Sequence, residues 1–333
     1  TTPPSAVPPT TPAPPSSTPG SPTPATPTPA PSSTTSPTPL AGGVEVTDAW
    51  TTGADPTRLR QAFAPGEAIQ LSVGVDNATG GPAAAAFEFV VVGDNGFAPD
   101  TLAWRGTLQL APGASGFKLE RAVPAGMPAG PYRLLVSAGF GGRSSTATAD
   151  FFVADAVRRV DDFDDPASGW TSHADADVRS GYLNGAFQIL VRTANFWRLD
   201  TPNDSVADFA MEADVAFAGS AAGAAGLVSG MSADGQAFTV FVVVRDGRFG
   251  LFRRAGGAWQ AVHALTPSGA VAPDANHVML ARMGSELRLY ANGRLLAVVA
   301  EPAGARGRVG LFGEAIDAGL DARFDAFRLY DVR

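Results

Sequence analysis

The stretch MEADVAF puts two carboxylates, Glu212 and Asp214, two residues apart. On a strand, residues i and i+2 point to the same face. Two carboxyls held about 5–5.5 Å apart can cleave a glycosidic bond with retention, one as nucleophile and one as acid. Met211, Ala213, Val215 and Phe217 take the alternate positions and read as a core face. The pattern therefore makes Glu212 and Asp214 the solvated side of a half-buried strand. Glu286, Glu301 and Glu314 stand singly near expected turns. No residue is assigned as catalytic, and the chain reads as a non-enzyme.

The densest acidic run is DDFDDP, with Asp161, Asp162, Asp164 and Asp165. Carboxylates are the ligands Ca²⁺ prefers. Strand alternation, however, sends Asp162 and Asp164 to the face opposite Asp161 and Asp165. A charged edge strand that resists pairing is the favoured reading, with Ca²⁺ possible and no other cofactor expected. His173, His263 and His277 show no ligand spacing, and there is no cysteine, so zinc and haem sites are not expected. No G-x-S-x-G, P-loop or strand-linked G-x-G-x-x-G is found.

Sugar binding needs aromatic platforms with a few polar groups beside them. Trp170, Tyr182, Trp197 and Trp259 are the candidates, with Tyr290 behind them. Phe196 and Trp197 are adjacent and must point opposite ways on a strand, one to the core and one away from it. N-x-S/T sequons stand at Asn77 and Asn203.

The elements that position these residues are strands. From Val44 onward, short alternating runs are separated by Gly, Pro, Asn and Asp, and helical periodicity is almost absent. Ile69, Leu71, Val73 and Val75 share one strand face; so do Phe87, Phe89 and Val91, and Tyr132, Leu134 and Val136. Asp246-Gly247 and Asn292-Gly293 mark hairpin turns. A break in composition near Ala154 to Arg159 divides the strands into residues 43–155 and 157–333.

Residues 1–40 are different. They hold fifteen Pro, eleven Thr and seven Ser, and the first charged side chain is Glu45. Such a segment cannot bury enough apolar surface to fold. It reads as an extended polyproline arm over residues 1–42, about 3.1 Å per residue. Its composition also suits O-glycosylation, with Thr10, Thr11, Thr18, Thr23, Thr26, Thr28, Ser32, Ser33, Thr34, Thr35 and Thr38 as candidates. The net charge is −8 and Lys118 is the only lysine. That balance argues against nucleic acid and anionic membrane surfaces as partners. No run of eighteen apolar residues is present, so no membrane insertion is expected from this chain. The chain begins at Thr, which reads as a mature or truncated form whose export signal or anchor, if any, lay upstream.

Two resemblances follow from these motifs. FAPGEAI and PAGPYRLLV, in residues 43–155, resemble strands of bacterial immunoglobulin-like β-sandwiches, in which a Tyr plugs one end. In residues 157–333, DDFDDPASGW, GYLNGAFQILV, ADFAMEADVAF, DANHVMLARMGSELRLYANGRLLAVV, GRVGLFGE and ARFDAFRLYD follow one another in order. This order resembles the concanavalin A-like lectin and glucanase group, in its laminin-G-like form. The resemblance implies a jelly roll whose first and last strands pair at a sheet edge. Glucanases of that group use a pattern close to E-x-D-x-x-E; here Ala216 and Phe217 stand where the third acid belongs. The expected fold is thus all-β, an immunoglobulin-like sandwich and a jelly roll after an extended arm. The expected protein is extracellular, on a bacterial surface, and structural or adhesive, a glycosylated fibril subunit whose arm contacts copies of itself. The alternative is a glycan-binding module on a stalk, and a glycoside hydrolase is the third reading. A groove with two exposed aromatics would favour glycan binding; one filled with Ala and Val would count against it.

Overall fold

The computed structural model describes residues 42–301 and 306–333. The arm and its O-glycosylation candidates, Thr10 through Thr38, lie outside the described residues. The described residues form one compact unit. It contains no α-helix among the described residues; a single 3-10 turn spans Asp100–Leu102.

The first half supplies β1 (Val44–Thr52), β2 (Ala62–Phe63), β3 (Ala68–Asn77), β4 (Ala83–Gly93), β5 (Trp104–Leu110), β6 (Gly113–Ala122), β7 (Gly130–Phe140) and β8 (Arg143–Val153). They form a three-stranded sheet, β1-β3-β6, and a five-stranded sheet, β2-β8-β7-β4-β5. Period-two alternation gives each sheet one apolar face. Ile69, Leu71, Val73 and Val75 of β3 meet Phe87, Phe89 and Val91 of β4 and Leu134 and Val136 of β7 in one core. Tyr132 is buried there; its hydroxyl donates to the Pro128 carbonyl at 2.8 Å, so the phenol keeps a partner.

The second half begins with β9 (Ala156–Asp161), β10 (His173–Ala174), β11 (Val178–Tyr182), β12 (Phe187–Val191), β13 (Phe196–Asp200) and β14 (Ser205–Val206). β15 (Phe209–Ala218), β16 (Gly223–Met231), β17 (Phe238–Val244), β18 (Arg248–Ala255) and β19 (Ala258–Pro267) follow. β20 (Ala275–Met283), β21 (Glu286–Ala291), β22 (Arg294–Ala300), β23 (Gly307–Ala315) and β24 (Leu320–Asp331) complete it. Two sheets pack face to face as a jelly-roll sandwich. One is β10-β11-β12-β24-β15-β20-β21-β22 with β9 added on β24; the other is β13-β23-β16-β17-β18-β19 with β14 on β23. The first and last strands do pair, Asp161 opposite Phe327. They do not mark a sheet edge, because β24 also pairs with β12 and β15.

Both Asx-Gly turns are hairpins. Asp246-Gly247 joins β17 to β18, and Asn292-Gly293 joins β21 to β22. Asn292 and Gly293 have φ of 49° and 80°, the left-handed pair a tight hairpin needs. Only two residues, Ala154 and Asp155, separate β8 from β9. The Ala154 amide donates to the Phe63 carbonyl at 2.8 Å, and the Asp155 amide donates to the Asp331 carbonyl at 2.9 Å. This link is tied to both sandwiches and cannot act as a loose tether.

Gly226, in β16, crosses β17 so closely that a Cβ would collide with the Phe241 carbonyl oxygen. Gly226→Ala is expected to cost about 1–3 kcal/mol. Thermal unfolding checks this, and an unchanged midpoint would show that the sheet yields there.

Candidate functional site

Glu212 and Asp214 do share a face of β15, but that face is not solvated. Glu212 is 0% exposed. This corrects the sequence reading, and the cause is the first sandwich, which docks on that side of the sheet. Ala62, Ala64, Phe152 and Ala154 pack there against Ala210, Met279, Ala281, Tyr290 and Tyr330. The Gln61 and Ala62 amides donate to Glu212 Oε2 at 2.7 and 3.0 Å. β15 and β20 run in a register that puts His277 opposite Asp214. The imidazole lies between the two acids, with Nδ1 at 2.8 Å from Asp214 and Nε2 at 3.1 Å from Glu212. Arg60 adds its charge at 3.7 Å from Glu212 and bonds the Tyr330 hydroxyl.

Burial alone would make His277 less basic. The hydrogen bonds to Asp214 and Glu212 outweigh it and raise the imidazole to about 9. Burial would likewise push Glu212 up, yet the His277 hydrogen bond and charge, with Arg60, hold it below its usual value. The cluster is a charged clamp between the two sandwiches. The hairpin tip reinforces it: the Gly293 amide donates to Gln61 Oε1 at 3.2 Å, and Arg294 pairs with Asp48.

Two clefts flank the clamp. One, of about 520 Å³, is bordered by Asp55, Arg58, Arg60, Asp162, Glu212 and Arg328. The other, of about 500 Å³, is bordered by Asn184, Asp214, Asn276, Asn292, Arg323 and Asp325. Their arginines are engaged in ion pairs, Arg58 with Asp325 at 2.8 Å and Arg60 with Glu67 at 2.5 Å. Neither has a Trp or Tyr in its wall. They lack a platform for a sugar ring.

The other sheet of the jelly roll does carry aromatic side chains. Phe196 packs on the inner core, and its neighbour Trp197 joins a cluster on the outer face. Trp197 lies 5.8 Å from Phe238, 5.7 Å from Trp259 and 6.0 Å from Phe312, centroid to centroid. β13 and β19 are opposite ends of this sheet. In a flat sheet, five steps of about 4.8 Å would separate them by roughly 24 Å. Contact between Trp197 and Trp259 therefore requires the sheet to curl over this face. The floor of the curl is Ala224, Val228, Val240, Val242 and Val244, all buried. That is the apolar filling set against a sugar-holding trough. The aromatic rim is less covered, and Trp197 and Trp259 are both half-exposed there. Glu314 stands opposite Trp197, one residue before the end of β23 and next to the turn as expected, and burial raises its carboxyl. Arg254 pairs in register with Phe238 and Trp259, and its guanidinium lies 5.2 Å above the Trp197 ring.

The remaining candidates have structural work. Trp170 is 4% exposed and donates Nε1–H to Asp161 at 2.9 Å, so it is no sugar platform. The Tyr182 hydroxyl accepts the Trp170 amide at 3.0 Å, and its ring packs on Phe163 and Phe187. Tyr290 is buried between the sandwiches. The acidic run leaves the strand at Asp161, and Phe163 turns left-handed with φ of 56°, so the expected alternation fails there. Asp161 is buried and committed to Trp170 and the Phe163 amide, whereas Asp162, Asp164 and Asp165 are exposed. Among the described residues no three acids or histidines converge on a metal position. Asn77 is 2% exposed and its amide donates to the Gly81 and Ala111 carbonyls, which closes that sequon to a glycan. Asn203 is exposed. Glu301, read as solitary, is buried and accepts from Arg253 and Arg282.

No family model and no curated protein matches the chain. Solved structures do. The carbohydrate-binding module CBM66 from Bacillus subtilis is 18% identical, over 49% of this chain and 96% of that one, with a TM-score of 0.37. A protein of unknown function with a galectin-like fold, also from Bacillus subtilis, is 10% identical over 54% and 98%, with a TM-score of 0.43. The Bacillus licheniformis β-glucanase is 10% identical over 54% and 99%, with a TM-score of 0.42. The likeness is one of fold. The expectation of a structural or adhesive fibril subunit is corrected here, because these neighbours include a carbohydrate-binding module and a glucanase.

The clamp has a pH signature. His277 is raised on folding, so its contribution is complete below about pH 6.5 and is lost as pH climbs through about 9. Glu212 is lowered, so its contribution holds above about pH 4.3 and is lost as pH falls through its folded value. Calorimetry should show the melting temperature declining from pH 6.5 to 9. His277→Gln should cost about 3–5 kcal/mol of stability at pH 6.5 and flatten that decline. A variant as stable as the parent, with the same alkaline slope, would contradict the clamp.

Proposed function

We propose that the jelly roll is a non-catalytic glycan-binding module and that the rim of Trp197 and Trp259 is its binding surface. One observation carries this reading. Two indoles from opposite edges of the sheet meet half-exposed on the face that the first sandwich leaves alone. Aromatic rings take the apolar face of a sugar, and polar groups beside them take its hydroxyls. Glu314 and Arg254 are those groups on this face. The absence of hydrolysis rests on Glu212 and Asp214. Glu212 is sealed in the joint, and Asp214 is tied to His277.

In this reading the first sandwich, with its immunoglobulin-like strand pattern, is a spacer, and the Pro/Thr/Ser arm is a stalk carrying the module from a bacterial surface. The short, hydrogen-bonded link at Ala154 and Asp155 suits a spacer that holds its module in fixed orientation.

Glycan-array binding followed by titration of the best hit tests the proposal. Trp197→Ala and Trp259→Ala are each expected to weaken binding about tenfold, whereas Tyr182→Phe leaves it unchanged. Full binding by the double tryptophan variant would move the site elsewhere.

A further inference from the structure

Among the described residues Arg254 has no counter-charge. The side chain is 7% exposed, yet it makes no ion pair or hydrogen bond with any described residue. Its Nε is buried without a partner. Its one recorded attraction is to the face of Trp197. The other arginine this buried, Arg282, is paired with Glu301. An arginine keeps its charge at any working pH, and burying that charge without a carboxylate is costly. The acid on the same face, Glu314, lies outside ion-pair distance. Arg254 is therefore a flat donor fork held over an indole, with no acceptor among the described residues.

We propose that Arg254 is the anion-binding element of this surface and that the glycan carries a carboxylate, a terminal sugar acid. This rests on the glycan reading above and narrows it. A planar guanidinium meets a carboxylate through two parallel N–H···O bonds, which fixes orientation as well as charge. The surroundings match the rest of such a ligand: one charged contact beside apolar rings, not a basic field. A polyanion such as a sulfated glycosaminoglycan fits poorly. The chain carries a net charge of −8, and Glu314 faces the same side. One carboxylate on one sugar is what a single fork can take.

The test is titration calorimetry on the full chain with matched pairs. The probes are a glucuronate-terminated oligosaccharide against its glucose-terminated counterpart, and sialyllactose against lactose. The two acids distinguish a uronate from a sialate as the source of the carboxylate, and a preference for either supports the proposal. The expected result is roughly tenfold or tighter binding of one acid over its neutral partner. Arg254→Met should abolish the preference while leaving the melting temperature unchanged or higher, because it removes an unpaired buried charge. Arg254→Lys should keep part of the preference and covers the case where the methionine variant does not fold. Equal binding of acids and neutral sugars overturns the anion proposal and leaves the glycan reading standing. Acid preference retained in Arg254→Met also overturns it. Binding of no probe, acid or neutral, and no array hit would remove both.

Discussion

A histidine held between two carboxylates ties this molecule together. His277 lies between Glu212 and Asp214, and Glu212 also takes two backbone amides from the first sandwich. A buried carboxylate needs a cation and its donors at once. Only the docked arrangement supplies them, so the charge acts as a registration device as well as an attraction. Around it lie the apolar contacts of Ala62, Phe152, Met279 and Tyr330, which exclude water from the joint.

That joint decides which surface of the jelly roll is available. The sheet containing β15 and β20 is covered by the first sandwich; the opposite sheet is not. The uncovered sheet curls until its two edge strands bring Trp197 and Trp259 together. Curling fills the face with Val and Ala and leaves the aromatic rim, with Arg254 buried against Trp197. Chemistry sealed at the joint and aromatics left open at the rim are the two consequences of one packing choice. They are the basis of the proposal of recognition without cleavage.

Much of the fold was legible in the sequence because period-two patterning and Asx-Gly turns are local signals. Ile69 through Val75, the Asn292-Gly293 hairpin and the opposed Phe196 and Trp197 needed no partner to be read. What local patterning could not supply was what lies against a polar strand face. Alternation marks Glu212 as outward, and outward meant water until a second sandwich covered it. His277 looked solitary because its place depends on the β15–β20 register, set across sixty residues of chain. Trp170 is hidden for a related reason: its partner, Asp161, sits nine positions earlier in a run that reads as a charged edge strand. The curl that joins Trp197 to Trp259 is a property of the whole sheet, and no pair of neighbours encodes it.

The most direct measurement is a two-dimensional NMR titration of the five tryptophan indole N–H signals with the tightest array glycan. The account predicts that Trp197 and Trp259 shift together, while Trp170, locked on Asp161, and Trp50 and Trp104, in the first sandwich, stay in place. Shifts confined to Trp50, Trp104 or Trp170, with Trp197 and Trp259 unmoved, would contradict it.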